Sequence, residues 1–320
     1  MQTDFQISYT LDILLYIDCM INKQKHERHD EDVQKFVPRL GTISDKYLEK
    51  LIKINKRVPE MIEYIVSILI NNDHLHEWSM TDLFDSHKSL VTTFKKSSQY
   101  SNASKGLKKF IKDDYFKVMP LIKVIITDLE RLDFKKFWLE EKLPLLKERI
   151  SEYQLILDEF DIAAYVNNWT TDKKILTSGP WYVLTYPGYD YKTLLQAYRI
   201  TSSVVTPEKL FDCIISYGVN TNSYTKICKR LKKGIDLKHE YKSHDQYKTF
   251  KSFSAYIEIC LKIGLRVYLI EKCDPTSPDI PIPRQHYFAA EVHAHIIRNP
   301  KQDDVSTKDY LEALMKEYSI

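Results

Sequence analysis

The chain is predicted to be mainly α, with a helical N-terminal region followed by a smaller α+β region. Three observations lead there. Glycine is scarce, 7 residues in 320, which leaves few of the tight turns that sandwiches and barrels need. Apolar residues recur at helical spacing through the first half of the chain. Near residue 161 the texture changes to short β-branched and aromatic runs broken by proline and glycine. A hydrophobic fraction of 43% beside 28% charged residues is enough to bury a sizeable core.

The elements follow in order. Phe5 to Ile21 is an apolar run interrupted by Asp12 and Asp18, read as an amphipathic helix. The segments 44–70, 80–98, 107–130 and 134–142 mix apolar and charged residues at the same period, and the serine-rich stretch Lys96–Lys105 reads as a loop. Leu143, Leu146, Ile150, Tyr153 and Leu157 are spaced three and four apart, which puts them on one stripe of a helix. Pro144 sits in its first turn, where a missing N–H costs little. The helical region is thus expected over 1–160, packed as antiparallel hairpins.

The α+β region is expected over 161–320. Trp181–Tyr186 and Tyr198–Val205 read as strands. Thr206-Pro207-Glu208 opens a helix with a cap, a first-turn proline and an acid. A further helix is expected at 249–270. A connector with Pro275, Pro278, Pro281 and Pro283 follows, then a closing helix from Thr307 with Leu311, Leu314, Met315 and Tyr318 as its buried stripe.

Several function classes are set aside by what the chain lacks. A formal charge of +3 does not by itself indicate nucleic-acid binding. The cysteines Cys19, Cys213, Cys228, Cys260 and Cys273 form no CxxC pair and are odd in number. They are expected as reduced thiols in a cytoplasmic protein. The N-terminal run has acids and no basic n-region, so neither a signal peptide nor a membrane span is expected. GxGxxG, GxxxxGK[ST], GxSxG, kinase signatures and HExxH are all absent. His26-Glu27-Arg28-His29 is one residue too short for HExxH, and His239 to His244 one too long.

Three clusters have residue types suited to chemistry. Were 287–297 a strand, Glu291, His293 and His295 would share one face. That donor set suits a divalent metal, zinc, manganese or iron, able to activate a water for hydrolysis. The alternative for this segment is a helix, which its alanines allow, and no cofactor is the default expectation. The basic stretch 226–251 has Lys229, Arg230, Lys232 and Lys233 with tyrosines interleaved, a composition able to neutralise phosphates and stack bases. Its alternative is a solvated helix pair. His74-Leu75-His76-Glu77, with Asp82, Asp85 and His87 beyond, reads as a loop between helices.

The layout over roughly 130–270 resembles a group of bacterial zincin-like metallopeptidases. Phe134-Lys135-Lys136-Phe137-Trp138 and Leu143-Pro144-Leu145-Leu146 look like that group's Trp and Leu-Pro-x-Leu element. Strands follow, and Tyr256-Ile257-Glu258 would lie on the later glutamate-bearing helix. The helix that the resemblance places in the HExxH position reads Phe211-Asp212-Cys213-Ile214-Ile215-Ser216-Tyr217, without a histidine. The resemblance therefore implies a scaffold stripped of its metal ligands and general base. The expected function is a non-catalytic interaction or regulatory protein whose partner is a protein. A metal-dependent hydrolase using Glu291, His293 and His295 and a nucleic-acid-binding protein are the alternatives.

Overall fold

A computed structural model describes residues 5–22, 29–69, 79–97, 100–101, 103–159, 181–186, 199–200, 253–273, 282, 287–302 and 304–317. The described residues are mainly helical, as predicted, with three short parallel strands. None of the helices among them is long and apolar enough to cross a membrane. The chain divides into two compact units. The first comprises Asp4–Ser151 and Gly179–Thr201; the second comprises Met1–Thr3, Glu152–Ser178 and Ser202–Ile320. The strands after residue 178 thus belong with the N-terminal helices, because their hydrogen-bonding partner is at the start of the chain.

The first unit begins with β1 (Phe5–Gln6), which leads through Ser8 into α1 (Tyr9–Ile21). Ser8 caps the helix, its hydroxyl accepting from the Leu11 amide at 3.3 Å. The expected amphipathic helix is buried all round instead: every residue from Thr10 to Ile21, Asp12 and Asp18 included, is enclosed. Around it lie α2 (Asp30–Phe36), α3 (Thr42–Asn55) and α4 (Met61–Leu69). Next come α5 (Met80–Lys96), α6 (Lys105–Asp113) and α7 (Tyr115–Arg131), with α3 against α7 and α4 against both α5 and α6. Ser79 and Asp82 form a reciprocal capping box at the start of α5.

Asp133 adopts the left-handed conformation, φ 62°, which aspartate tolerates. It reverses the chain into α8 (Phe134–Phe137), a π turn over Trp138–Lys142 and α9 (Leu143–Glu159), which run on without a break. Pro144 has no N–H to donate to the turn before it, and the backbone widens there. Leu146 and Tyr153 of the predicted stripe are buried on α9.

β2 (Trp181–Val183) lies between β1 and β3 (Arg199–Ile200), all parallel, with Phe5 opposite Trp181 and Val183 opposite Ile200. The predicted strand 181–186 stops at Val183, because Thr185 and Tyr186 turn to bind Asp12. Parallel strands end on the same side, so the exit of β2 and the start of α1 share one edge.

In the second unit α10 (Phe253–Cys273) packs along α11 (Tyr287–Arg298), followed by α12 (Thr307–Glu317). Gly264 sets the closeness of the first pair: a Cβ there would lie 2.7 Å from the Ala289 carbonyl and 2.8 Å from Val292. Leu311, Leu314 and Met315 are buried on α12 as predicted. The predicted helix at 207–217, the basic stretch 226–251 and Tyr318 lie outside the described residues.

Candidate functional site: a buried carboxylate pair

Asp12, in the first turn of α1, is 0% exposed. A carboxylate in such a place must be supplied with donors or give up its charge. Here both of its oxygens are served. Oδ1 accepts from the Thr185 amide at 2.7 Å and the Tyr186 amide at 3.4 Å. Oδ2 accepts from the Trp138 indole N–H at 2.9 Å and the Thr185 hydroxyl at 3.0 Å. Burial pushes the carboxyl up to about 6 against the opposing pull of these four bonds. At neutral pH the group is still ionised, which suits a partner set made of donors.

The second carboxylate, Asp32 on α2, takes the Lys142 ammonium at 2.7 Å and the Tyr186 hydroxyl at 3.1 Å. The Tyr16 hydroxyl donates to the Asp32 backbone carbonyl at 3.0 Å. Burial, then the charge of Asp32, raises the Tyr16 and Tyr186 phenols far above their ordinary value, so both remain hydrogen-bond donors. The rings of Tyr16, Tyr186, Phe36 and Phe134 pack edge to face or tilted around the pair.

The π turn explains how both carboxylates are reached. Trp138 and Lys142 are its first and last residues, and one serves Asp12 while the other serves Asp32. Together the contacts tie the start of α1, α2, the π turn and the exit of β2 into one node at the carboxyl edge of the parallel strands. In open α/β sheets that edge is where ligands bind. Here its polar groups are turned on one another. Lys142→Met is expected to cost about 2 kcal/mol in urea unfolding, since among the described residues Asp32 would keep only Tyr186 and the more distant Lys35.

The predicted metal cluster falls on α11, a helix, so the shared strand face does not exist. At about 100° per residue, His293 points nearly opposite to Glu291 and His295. His293 Nε2 meets Glu271 of α10 at 2.6 Å, and His295 Nδ1 meets Glu317 of α12 at 3.1 Å. Glu291 is exposed. Each histidine ties α11 to a different neighbour, and the three do not converge. Among the described residues no group of three or more His, Cys, Asp or Glu is placed to hold a metal ion.

His87 lies on α5 with Nδ1 2.6 Å from the Phe84 carbonyl, and His74 and His76 lie outside the described residues. So do Lys229, Arg230, Lys232 and Lys233. Sequence reasoning passed over Asp12, Asp32, Lys142 and Thr185, and Trp138 entered only through the resemblance. For Asp12 the one available signal was its place in an apolar run, Leu11-Asp12-Ile13, while Asp32 sits among charged neighbours, Asp30-Glu31-Asp32, and gave none. Compared with known proteins, the chain matches no family model, no curated protein and no solved structure.

Proposed function

We propose that the chain is a non-catalytic interaction or regulatory protein on a metallopeptidase-like scaffold that has lost its metal ligands. The observation that carries this reading is the closed carboxylate node. Both oxygens of Asp12 are taken by Trp138, Thr185 and Tyr186, and Oδ2 of Asp32 by Lys142 and Tyr186, so among the described residues these contacts hold elements together. Supporting it, the segment Phe211–Tyr217, where the resemblance puts the metal-binding helix, has neither histidine nor glutamate. Trp138, part of the first element of the resemblance, serves the node as an anchor.

The test is elemental mass spectrometry of the purified chain beside a His293→Ala/His295→Ala double variant, with a peptide-release assay in added zinc or manganese. The expected result is no stoichiometric metal lost in the variant and no hydrolysis. A stoichiometric metal that the double variant loses would put the hydrolase reading first. So would hydrolysis abolished by substituting a single polar cluster.

A further inference from the structure

Between Ser86 and Lys112 the chain has seven lysines and no carboxylate. The fold gathers most of that charge at one place. Lys105, Lys108, Lys109 and Lys112 recur at i, i+3, i+4 and i+7 along α6, hence on one face. The other face, Leu107, Phe110 and Ile111, is buried, and Gly106 lets the helix approach the Tyr64 ring. The lysine row is therefore borne on a helix anchored by its apolar side.

Beside the row is an open cleft of about 560 Å³, lined by Lys95 from the end of α5, by Lys108, Lys109 and Lys112, and by Tyr100. Among the described residues Asp113 is the one acid on its wall. Lys95, Lys109 and Lys112 make no ion pair among the described residues. Lys108 reaches across to the Ser101 carbonyl at 2.9 Å, its ammonium 5.4 Å from the centre of the Tyr100 ring. Phe94 supports that ring edge-on at 5.9 Å.

We infer that this cleft binds single-stranded nucleic acid, with the α6 lysines along the phosphates and Tyr100 offering a ring to a base. From Lys105 to Lys112 the helix rises about 10 Å, room for about three phosphates at the spacing of one strand. A row of lysines next to a supported aromatic ring makes up the general single-strand site, where charge supplies affinity and stacking is tolerant of sequence. A cleft of this volume admits a nucleotide unit. An anionic membrane is the poorer fit. A surface-lying helix must offer its apolar face to lipid, whereas that of α6 is buried, and no large exposed hydrophobic residue lies on α5 or α6. The inference is independent of the lost-ligand reading and uses residues other than the 226–251 stretch.

The experiment is fluorescence anisotropy of a labelled oligo-dT with the full chain, at low and at near-physiological salt. Variants are Lys109→Glu/Lys112→Glu, Tyr100→Leu, and a quadruple charge reversal at Lys229, Arg230, Lys232 and Lys233, each checked for native circular dichroism. Binding is expected to weaken with salt at a log–log slope of about −2, as for some three phosphates on a single strand. The Lys109/Lys112 reversal should lower affinity by at least about tenfold. Tyr100→Leu should lower it several-fold at unchanged salt slope, because it removes stacking and no charge. No binding at low salt overturns the inference. So does binding lost only in the quadruple reversal, binding no weaker for the duplex, or association with phosphatidylserine vesicles and not with the oligonucleotide.

Discussion

Asp12→Ala is expected to destabilise the first unit by about 3 kcal/mol at neutral pH, the upper end of the single-substitution range. The truncation leaves the Trp138 indole N–H and the Thr185 and Tyr186 amides without their acceptor in a site closed to water. Each orphaned donor costs about 1–3 kcal/mol. Removal of a poorly solvated charge offsets part of that sum, which is why the total stays below the bare addition. Urea unfolding by circular dichroism reads the loss directly. In thermal unfolding the fall is on the order of 10 °C for a unit of this size. A change under about 0.5 kcal/mol, the level of an ordinary surface substitution, would show that the node contributes nothing.

Asp12→Asn separates charge from hydrogen bonding. Its amide keeps one acceptor oxygen, but the NH2 group must face donors, and the Trp138 N–H cannot turn away. The cost of Asp12→Asn is therefore expected to shrink in a Trp138→Phe background, which removes the opposing donor. The pH dependence has a definite sign. The folded Asp12 carboxyl, at about 6, holds its proton more tightly than the unfolded one at 3.8. Acid thus favours the folded form at this group, a contribution fully present below about 3.8 and lost as pH rises through about 6. Relative to Asp12→Asn, the native chain should gain about 2 kcal/mol between pH 7 and pH 4. The opposite slope would mean that the four donors outweigh burial.

The reason the sequence revealed α1 and not its role lies in how acids are read. Asp12 and Asp18 in an apolar run suggest a polar stripe facing water, and nothing local distinguishes that from enclosure. The distinction is made by Trp138 and Thr185, 126 and 173 residues away, a pairing that no local pattern contains. β1 escaped notice because a two-residue strand has no period. Helices with longer stripes were legible: α9, α10 and α12 lie close to where apolar spacing put them.

The 287–298 segment shows the converse failure, in which two periods fit the same residues. Phe288, Val292 and Ile296 are four apart and satisfy both a strand and a helix. The alanines decide between them. A strand would bury Ala290 and expose Ala289, but Ala289 is fully buried and Ala290 exposed. Small side chains barely mark a face, so the sequence was silent at the positions that mattered. The same is true of α6, whose lysines straddle the end of a predicted loop and were read in part as connection.

Gly264→Leu is expected to be the most disruptive change in the second unit, costing about 3 kcal/mol. Glycine in mid-helix normally invites improvement, since alanine is better there by about 1 kcal/mol. Here the partner helix occupies the space. A Cβ alone would sit 2.7 Å from the Ala289 carbonyl oxygen and 2.8 Å from two Val292 carbons. One of these is backbone, so the strain is relieved only if α11 shifts away from α10. Overpacking of this kind costs about 1–3 kcal/mol for a methyl-sized intrusion, enough to cancel the propensity gain in Gly264→Ala. With leucine the helices must separate, and the burial of Leu261, Leu265, Val292 and Ile296 suffers with them. A rescue makes the cause specific. Val292→Ala removes Cγ1, one of the two Val292 carbons in the way, and frees the alanine to shift, so Gly264→Ala/Val292→Ala should be more stable than the sum of its single changes implies. Strict additivity in thermal unfolding, or a stabilised Gly264→Ala, would show that the two helices do not pack at this distance. The outcome also bears on α11 itself. His293 and His295 are held toward α10 and α12 through Glu271 and Glu317, and forcing α11 outward should break the His293 contact first.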